Sequence, residues 1–247
     1  MPDTRRHRGQ HPDDARLFNA AALGSLREAV TDLSWLEGRD YAEKSALEIV
    51  GNRYQLKDRQ RQAILRCACS DAARERRRKK QISLDELNGR AILIDGYNLL
   101  ITVESALSHG LVIVGRDGSY RDLASVHGTY RKVEETLPAL RAIGATLAEH
   151  DIGEATWYLD TPVSNSGRLR AIIVSVAEEN GWRWSAELDE DPDRVLSQSD
   201  GVVVSSDSVI LDRCARWLGL AREVVERRVP DAWVVDLNTL SEQDRVR

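Results

Sequence analysis

Three aspartates stand where a short apolar run gives way to a helical pattern: Asp95 after AILI, Asp160 after TWYL and Asp207 after VVVSS. A carboxylate in that position has two uses. It can cap the helix that follows, accepting N–H groups that the first turn leaves free. If the three strands are neighbours, it can instead project with the others into the crevice at the carboxyl ends of a parallel sheet. Three carboxylates held together repel one another unless protonated or bridged by a cation. Oxygen donors without cysteine or histidine suit Mg2+ or Mn2+ rather than zinc. Such an ion keeps water, and that water can become a nucleophile toward a phosphodiester. Taken singly, each aspartate reads more simply as a cap; three together, the first opening Asp95-Gly96-Tyr97-Asn98, favour a metal site.

A second group lies in Thr161-Pro162-Val163-Ser164-Asn165-Ser166-Gly167-Arg168, between a strand and a helix. Ser164, Asn165, Ser166 and Gly167, with the helix N-terminus, can cradle a phosphate, and Arg168 supplies a counter-charge. Arg131, Lys132 and His127 are placed to line the same crevice. A capped loop with Ser166 as the cap accounts for the same residues equally well.

The elements that must position these groups follow from periodicity. Residues 1–12 show none and are expected to be loose. Residues 13–80 read as a helical domain: a first segment capped by Asp13 or Asp14 with Leu17, Leu23, Leu26, Val30 and Leu33 apolar, a second ending at Gly51, and a third from Lys57 to Lys80 that includes Cys67 and Cys69. The outline of the second and third resembles a helix-turn-helix, in which Arg59, Arg61 and Arg66 are the candidate groove-facing residues; arginines on a wet helix face give the same pattern. A linker at 81–90 follows. Residues 91–247 alternate apolar strands with helices, beginning with AILID, a strand of the kind buried on both faces. LVIV, a GRDG turn and SYRD suggest a hairpin. A helix over VHGTYRKVEETLPALRAIGATLAEH, strand ATWYLD, helix GRLRAIIVSVAEENG, strand WRWSAEL, a polar segment DEDPDRVLSQSD, strand GVVVSSD, helix SVILDRCARWLGL and strand WVVDL complete it. The expected architecture is α/β, a parallel sheet with helices on both faces after a small all-α domain.

Charge divides along the same line. Residues 1–90 carry 19 Lys/Arg against 14 Asp/Glu, and residues 91–247 carry 16 against 26. The acidic half suits metal ligands; the basic half can attract phosphate. Three scattered cysteines make no disulfide framework, and no apolar run reaches the roughly 18–20 residues that span a bilayer. A cytoplasmic protein is expected. The phosphate loop G-x-x-x-x-G-K-[ST], the dinucleotide fingerprint G-x-G-x-x-G, the G-x-S-x-G elbow and a D-x-D nucleophile after the first strand are all missing, which leaves few enzyme classes for such a sheet.

From Ile94 to Leu100, IDGYNLL resembles the PIN and NYN nuclease superfamily, in which the first strand ends in an aspartate with an asparagine three residues on, here Asp95 and Asn98. YLD at Asp160 and SSDSVILD at Asp207 resemble that superfamily's later acidic stations. The chain as a whole is similar to an uncharacterised prokaryotic family that couples an N-terminal helical domain to a PIN-like domain, through DLSWLEGRDY, LEIVGNRY and LKDRQRQAI in the first part and VHGTYRKVEET, DTPVSNSGRLRAI and SSDSVILD in the second. The resemblance implies a PIN-like three-layer fold and metal-dependent hydrolysis of phosphodiesters, usually of RNA, by in-line attack of water. Asp95, Asp160 and Asp207 would then hold Mg2+ or Mn2+, Asn98 would orient Asp95 or touch the phosphate, and Asp212 would join from just outside. An acid on a middle helix is also implied, with Glu135 preferred over Glu134 and Glu104. The alternative is a non-catalytic RNA- or nucleotide-binding protein on the same fold.

Overall fold

A computed structural model of the chain describes residues 7–124 and 130–238; His127 therefore lies outside the described residues. Five helices come first: α1 (Asp14–Leu17), α2 (Ala20–Glu37), α3 (Glu43–Arg53), α4 (Asp58–Cys67) and α5 (Asp71–Lys80). Leu26, Ala29, Val30 and Leu33 recur three and four residues apart along α2 and are all buried, the stripe an amphipathic helix turns to its core. They pack with Ala46 and Val50 of α3 and Ala63 and Ile64 of α4.

The helix expected from Lys57 to Lys80 is broken between Cys67 and Asp71. Ser70 caps α5 by accepting the Ala73 N–H at 3.2 Å, while Arg116 donates its N–H to the Cys67 carbonyl and its guanidinium to that of Cys69. Backbone groups that a continuous helix would use internally are thereby taken from outside. Cys67 and Cys69 are buried, but Cys69 lies in the break. α3 runs past Gly51, where a Cβ would come within 2.0 Å of the Arg61 guanidinium.

The groove-reading role considered for Arg59, Arg61 and Arg66 competes with bonds that each makes within the chain, although Arg66 stays exposed. Arg59 forks onto the buried Asp14 and reaches the Leu123 carbonyl. Arg61 binds the Leu56 carbonyl and Asn52. Arg66 donates to the Asp122 carbonyl at 2.5 Å.

The α/β part consists of β1 (Gln81–Ile82), β2 (Ile92–Asp95), α6 (Gly96–Leu107), β3 (Val112–Val114), β4 (Tyr120–Asp122), α7 (Thr136–Leu147), β5 (Ala155–Asp160), α8 (Ser166–Asn180), β6 (Trp184–Asp189), α9 (Pro192–Ser197), β7 (Val202–Val204), α10 (Ser208–Arg213), β8 (Arg216–Leu218), α11 (Leu220–Arg228) and β9 (Val234–Asp236). Six strands form a parallel sheet in the order β1-β8-β7-β2-β5-β6. Thus the stretch read as a linker carries the sheet's edge strand. The helix expected through SVILDRCARWLGL ends at Arg213, and Arg216–Leu218 is a strand, with Trp217 fully buried and its indole N–H on the Arg77 carbonyl. The hairpin β3–β4 forms as expected, but β9 joins β3 in a separate three-stranded sheet.

Side chains alternate across the main sheet, as strand geometry requires. Ile92, Ile94, Trp157, Leu159, Val202 and Val204 meet α6, α7, α8 and α11 on one face. Leu93, Tyr158, Val203 and Trp217 meet α9 and α10 on the other. From β2 the chain proceeds to β5 on one side, and from β7 to β8 on the opposite side. The reversal falls between β2 and β7, the point at which open parallel sheets leave a crevice. Among the described residues no helix is long and apolar enough to cross a membrane.

Candidate functional site

The strand register brings three of the sequence-selected aspartates to one edge of the sheet. Asp95 pairs with Tyr158 and Ile94 with Val204, so Asp95 ends the central strand with Asp160 two residues beyond its level on β5 and Asp207 just past β7. By alternation Asp95 and Asp160 share the face of Leu93 and Tyr158, which α9 and α10 cover. Gly96 makes the tight entry into α6 possible: a Cβ there would lie 2.6 Å from the Leu159 side chain and 2.8 Å from the Tyr158 carbonyl.

Two of these three aspartates also cap helices. Asp95 accepts the Asn98 N–H at 3.4 Å and the Ser205 hydroxyl at 2.8 Å. Asp207 accepts the N–H groups of Val209 and Ile210 at 2.8 and 3.3 Å. Asp160 caps nothing; the position before α8 is Asn165, in the left-handed region at φ 73°.

The acids nevertheless sense one another. Burial pushes Asp95 up to about 7, and the charges of Asp193 and Asp207 add to the rise against the restraint of its hydrogen bonds. Asp160 is raised by burial and by Asp191. Asp193 is raised by loss of surrounding water and then by Asp207, Asp160 and Asp191. Asp193 lies in α9, inside the stretch read only as a polar segment, so the sequence reading missed it. Its signal was the acidic run Asp189-Glu190-Asp191-Pro192-Asp193 directly after a strand; Asp191 caps α9, accepting the Arg194 N–H, and Pro192 opens the helix. Among the described residues no group of three or more His, Cys, Asp or Glu side chains is gathered closely enough to hold an ion as the side chains stand.

Asn98 belongs to the same edge but serves a different acid. Its carboxamide oxygen accepts the Ser206 N–H at 2.9 Å and the Ser206 hydroxyl at 2.8 Å, fixing the loop that leads to Asp207. The Ser206 carbonyl in turn accepts Arg121 of β4 at 2.7 Å. Arg121 shares the buried Asp117 with Arg77 of α5 at 2.8 and 2.7 Å. These two cations hold the Asp117 carboxyl well below the usual range despite its burial.

Asp212 is not brought to the crevice. Arg77 forks onto it at 3.0 and 2.8 Å and Arg76 adds a longer contact, so this carboxylate closes the seam between α5 and α10. Glu135 and Glu104 form a second, separate cluster. Glu104 lies nine residues along α6 from Asp95, roughly 13 Å at the helical rise. Fully buried, it takes Arg8 at 2.7 Å, Tyr130 at 2.5 Å and Thr136 at 2.7 Å. Glu135, at the start of α7, is 2.5 Å from a ring nitrogen of His7, and its other oxygen is buried without a partner among the described residues. Residues 7–12, where the sequence shows no periodicity, are thus tied down at His7 and Arg8 by groups far along the chain.

The loop after Asp160 divides into two parts. Ser166 is buried, its hydroxyl 2.5 Å from the Asp160 and Val163 carbonyls and 2.8 Å from the Tyr97 hydroxyl, so it faces the core rather than a ligand. The Ser164 carbonyl accepts the Tyr130 N–H, and the Asn165 amide donates to the Tyr130 carbonyl. Arg131, Lys132, Asn165 and Arg168, with Tyr130, Leu169 and Ile172, line a recess of about 350 Å3.

Comparison with known proteins adds the following. The model described as a domain of unknown function (DUF5616) matches residues 84–223, and the model described as a protein of unknown function (DUF434) matches residues 25–80. The chain is 30% identical over 191 residues to a protein of Methanocaldococcus jannaschii named "Uncharacterized protein MJ0935", covering 75% of this chain and 91% of the relative. No solved structure matches the chain. On a model match that spans more than half its length, the chain belongs to the family of the domain of unknown function DUF5616.

Proposed function

We propose that this protein is a Mg2+- or Mn2+-dependent phosphodiesterase of PIN-like type acting on RNA, with its centre at the carboxyl ends of β2, β5 and β7. The observation that carries the reading is the mutual field of the edge acids. Burial is the largest cause of the rise of Asp95 to about 7 and of the rise of Asp193, and the charges of Asp193 and Asp207 on the first and of Asp207 and Asp160 on the second add to it. Carboxylates that raise one another are the setting in which a divalent cation stabilises most, and an oxygen-only set suits Mg2+ or Mn2+.

Asp95, Asp160, Asp193 and Asp207 would hold the ion, which when bound supplies charge for the phosphate and an activated water. The remaining work falls to the chain. Burial and acidic neighbours hold Asp95 up to about 7, and a cation at this edge would relieve that strain by favouring its ionised form. Asn98 and Ser206 keep the Asp207 loop in register with α6. Three-layer placement of helices, the D-G-Y-N entry and acids at neighbouring strand ends support the PIN-like reading alongside the sequence resemblance.

Incubating the protein with an RNA pool and Mn2+ should give cleavage that Asp95→Asn, Asp193→Asn and Asp207→Asn each reduce by about a hundredfold or more, at or beyond the cost of losing a group that merely supports a metal ligand, with circular dichroism unchanged. Full activity in all three variants would remove the edge acids from the reaction. A second reading, a non-catalytic nucleotide- or RNA-binding protein, is favoured by one observation: Asp95 and Asp207 are both already engaged as helix caps. Binding of RNA by a parent protein that cleaves nothing would select it.

A further inference from the structure

The recess beyond β5 has a composition that the edge acids do not explain. Its cations are Arg131, Lys132 and Arg168. Buried or partly buried arginines of this chain are neutralised, Arg8 by Glu104, Arg59 by Asp14, and Arg77 and Arg121 by Asp117. Among the described residues none of the three recess cations has an acidic partner. Gathering unpaired like charges costs free energy that a bound anion recovers. The bare cluster stands out further in a half that carries 26 acidic residues against 16 basic ones.

The walls say what kind of anion. Asn165, Arg168, Leu169 and Ile172 follow three- and four-residue spacing, so one face of the opening turns of α8 forms one side. Its Gly167 N–H takes no hydrogen bond among the described residues, and a Cβ at Gly167 would meet nothing within 4 Å. Gly167 does not itself line the recess, and the N–H groups of Ser166, Arg168 and Leu169 are already bonded to Val163 and Asn165, so the three cations are what would hold the anion. Ile172, partly exposed, adds a small apolar surface. A volume of about 350 Å3 lies at the lower end for small-ligand sites. Three cations match a phosphate monoester, which carries a charge of about −1.5 to −2 near neutrality, better than the single charge of an internal phosphodiester.

The geometry points to a binding pocket for a terminal phosphate, with the sugar of its nucleotide against Ile172. Because Ser166 ties this turn to the Asp160 carbonyl, the pocket would seat one end of an RNA strand beside the acidic edge. The inference rests on the phosphodiesterase reading for the rest of the strand, not for the phosphate itself.

The test is binding of labelled penta-adenylates carrying a 5′-phosphate, a 3′-phosphate or neither, to the full chain in EDTA, so that no cleavage intervenes. One phosphorylated pentamer should bind at least about tenfold more tightly than the unphosphorylated one, equal to about 1.4 kcal/mol. Arg168→Gln and Lys132→Gln, at exposed positions, should each reduce that preference at least about fivefold and lower the slope of log affinity against log salt by about 0.7. Arg90→Gln, an exposed cation outside the recess, should keep the parent's phosphate preference. Equal affinity for all three pentamers, or a preference untouched in both cation variants, overturns the pocket. A phosphate preference in a protein that cleaves nothing with Mn2+ supports the pocket and removes the phosphodiesterase reading instead.

Discussion

Asp95 caps α6 and, under the function proposed above, would also hold the ion, and its titration bears on both. Its folded value of about 7 stands above the ordinary 3.8 because burial and acidic neighbours outweigh two hydrogen bonds. A carboxyl raised on folding contributes stability that is whole below about pH 4 and is lost as pH rises through about 7. Asparagine keeps the shape and never charges. Asp95→Asn should therefore match the parent at pH 4 and exceed it at pH 8 by on the order of 1–3 kcal/mol, measured by urea unfolding in EDTA. A difference of the same size at both pH values would mean that the Asp95 charge is not under strain. Mn2+ should close the gap at pH 8 by stabilising the parent alone. This residue was legible in the sequence because an apolar strand followed by D-G-Y-N leaves few roles for the aspartate. Asp193 was not, since a short helix with an acid inside a polar run gives no period to mark it. Only the turn of α9 onto the sheet edge brings it to Asp95.

Among the elements, β4 and α5 act on the edge without touching it. Arg121 of β4 holds the Ser206 carbonyl, and Arg77 of α5 shares Asp117 with it while also gripping Asp212. The loop carrying Asp207 is thus braced from the hairpin sheet and from the helical region. Arg121→Lys keeps the charge but loses the guanidinium fork that reaches Asp117, Ser206 and the Arg66 carbonyl together. Amide exchange over residues 205–208 should then quicken by about tenfold, a local loss of about 1.4 kcal/mol, with protection in β5 and β6 unchanged. Unaltered exchange in that loop would reduce Arg121 to one more buried ion. Strands β2, β5 and β7 could be read from their apolar runs. β8 could not, because Arg216–Leu218 continues an apparently helical pattern and only pairing with β7 and β1 decides its conformation. Asp212 was misplaced for a related reason: helical spacing from Asp207 says nothing of Arg77, 135 residues away in sequence.

At the scale of the whole molecule, the two halves are not a catalytic body with a detachable reader. The core of the helical region includes Leu111, Ile113, Leu123, Val235 and Leu237 from the hairpin sheet and the segments flanking it, so removing residues 1–80 would uncover that sheet as well as any surface for substrate. The chain also closes on itself through its N-terminal segment. Arg8 inserts beside Glu104, donates to the Arg131 carbonyl at 3.0 Å and lies 5.0 Å from the centre of the Tyr130 ring, while the Gly9 N–H reaches the Ser108 hydroxyl. This clasp holds Tyr130 and Arg131, one wall of the basic recess. Glu104 is already raised by burial, with Arg8 the largest opposing influence. Arg8→Met should leave it buried without a cation and cost about 3–5 kcal/mol at pH 8. The loss should shrink toward pH 5, because a carboxyl raised further in the folded state is most compatible with folding where it is protonated. Glu104→Gln in the Arg8→Met background should recover much of the deficit at pH 8, since a neutral amide needs no counter-ion. Urea unfolding of the two single variants and the double variant at pH 5 and pH 8 completes the cycle. A cost for Arg8→Met that is the same at both pH values, or no recovery in the double variant, would show that Arg8 contributes packing over Tyr130 rather than neutralisation of Glu104.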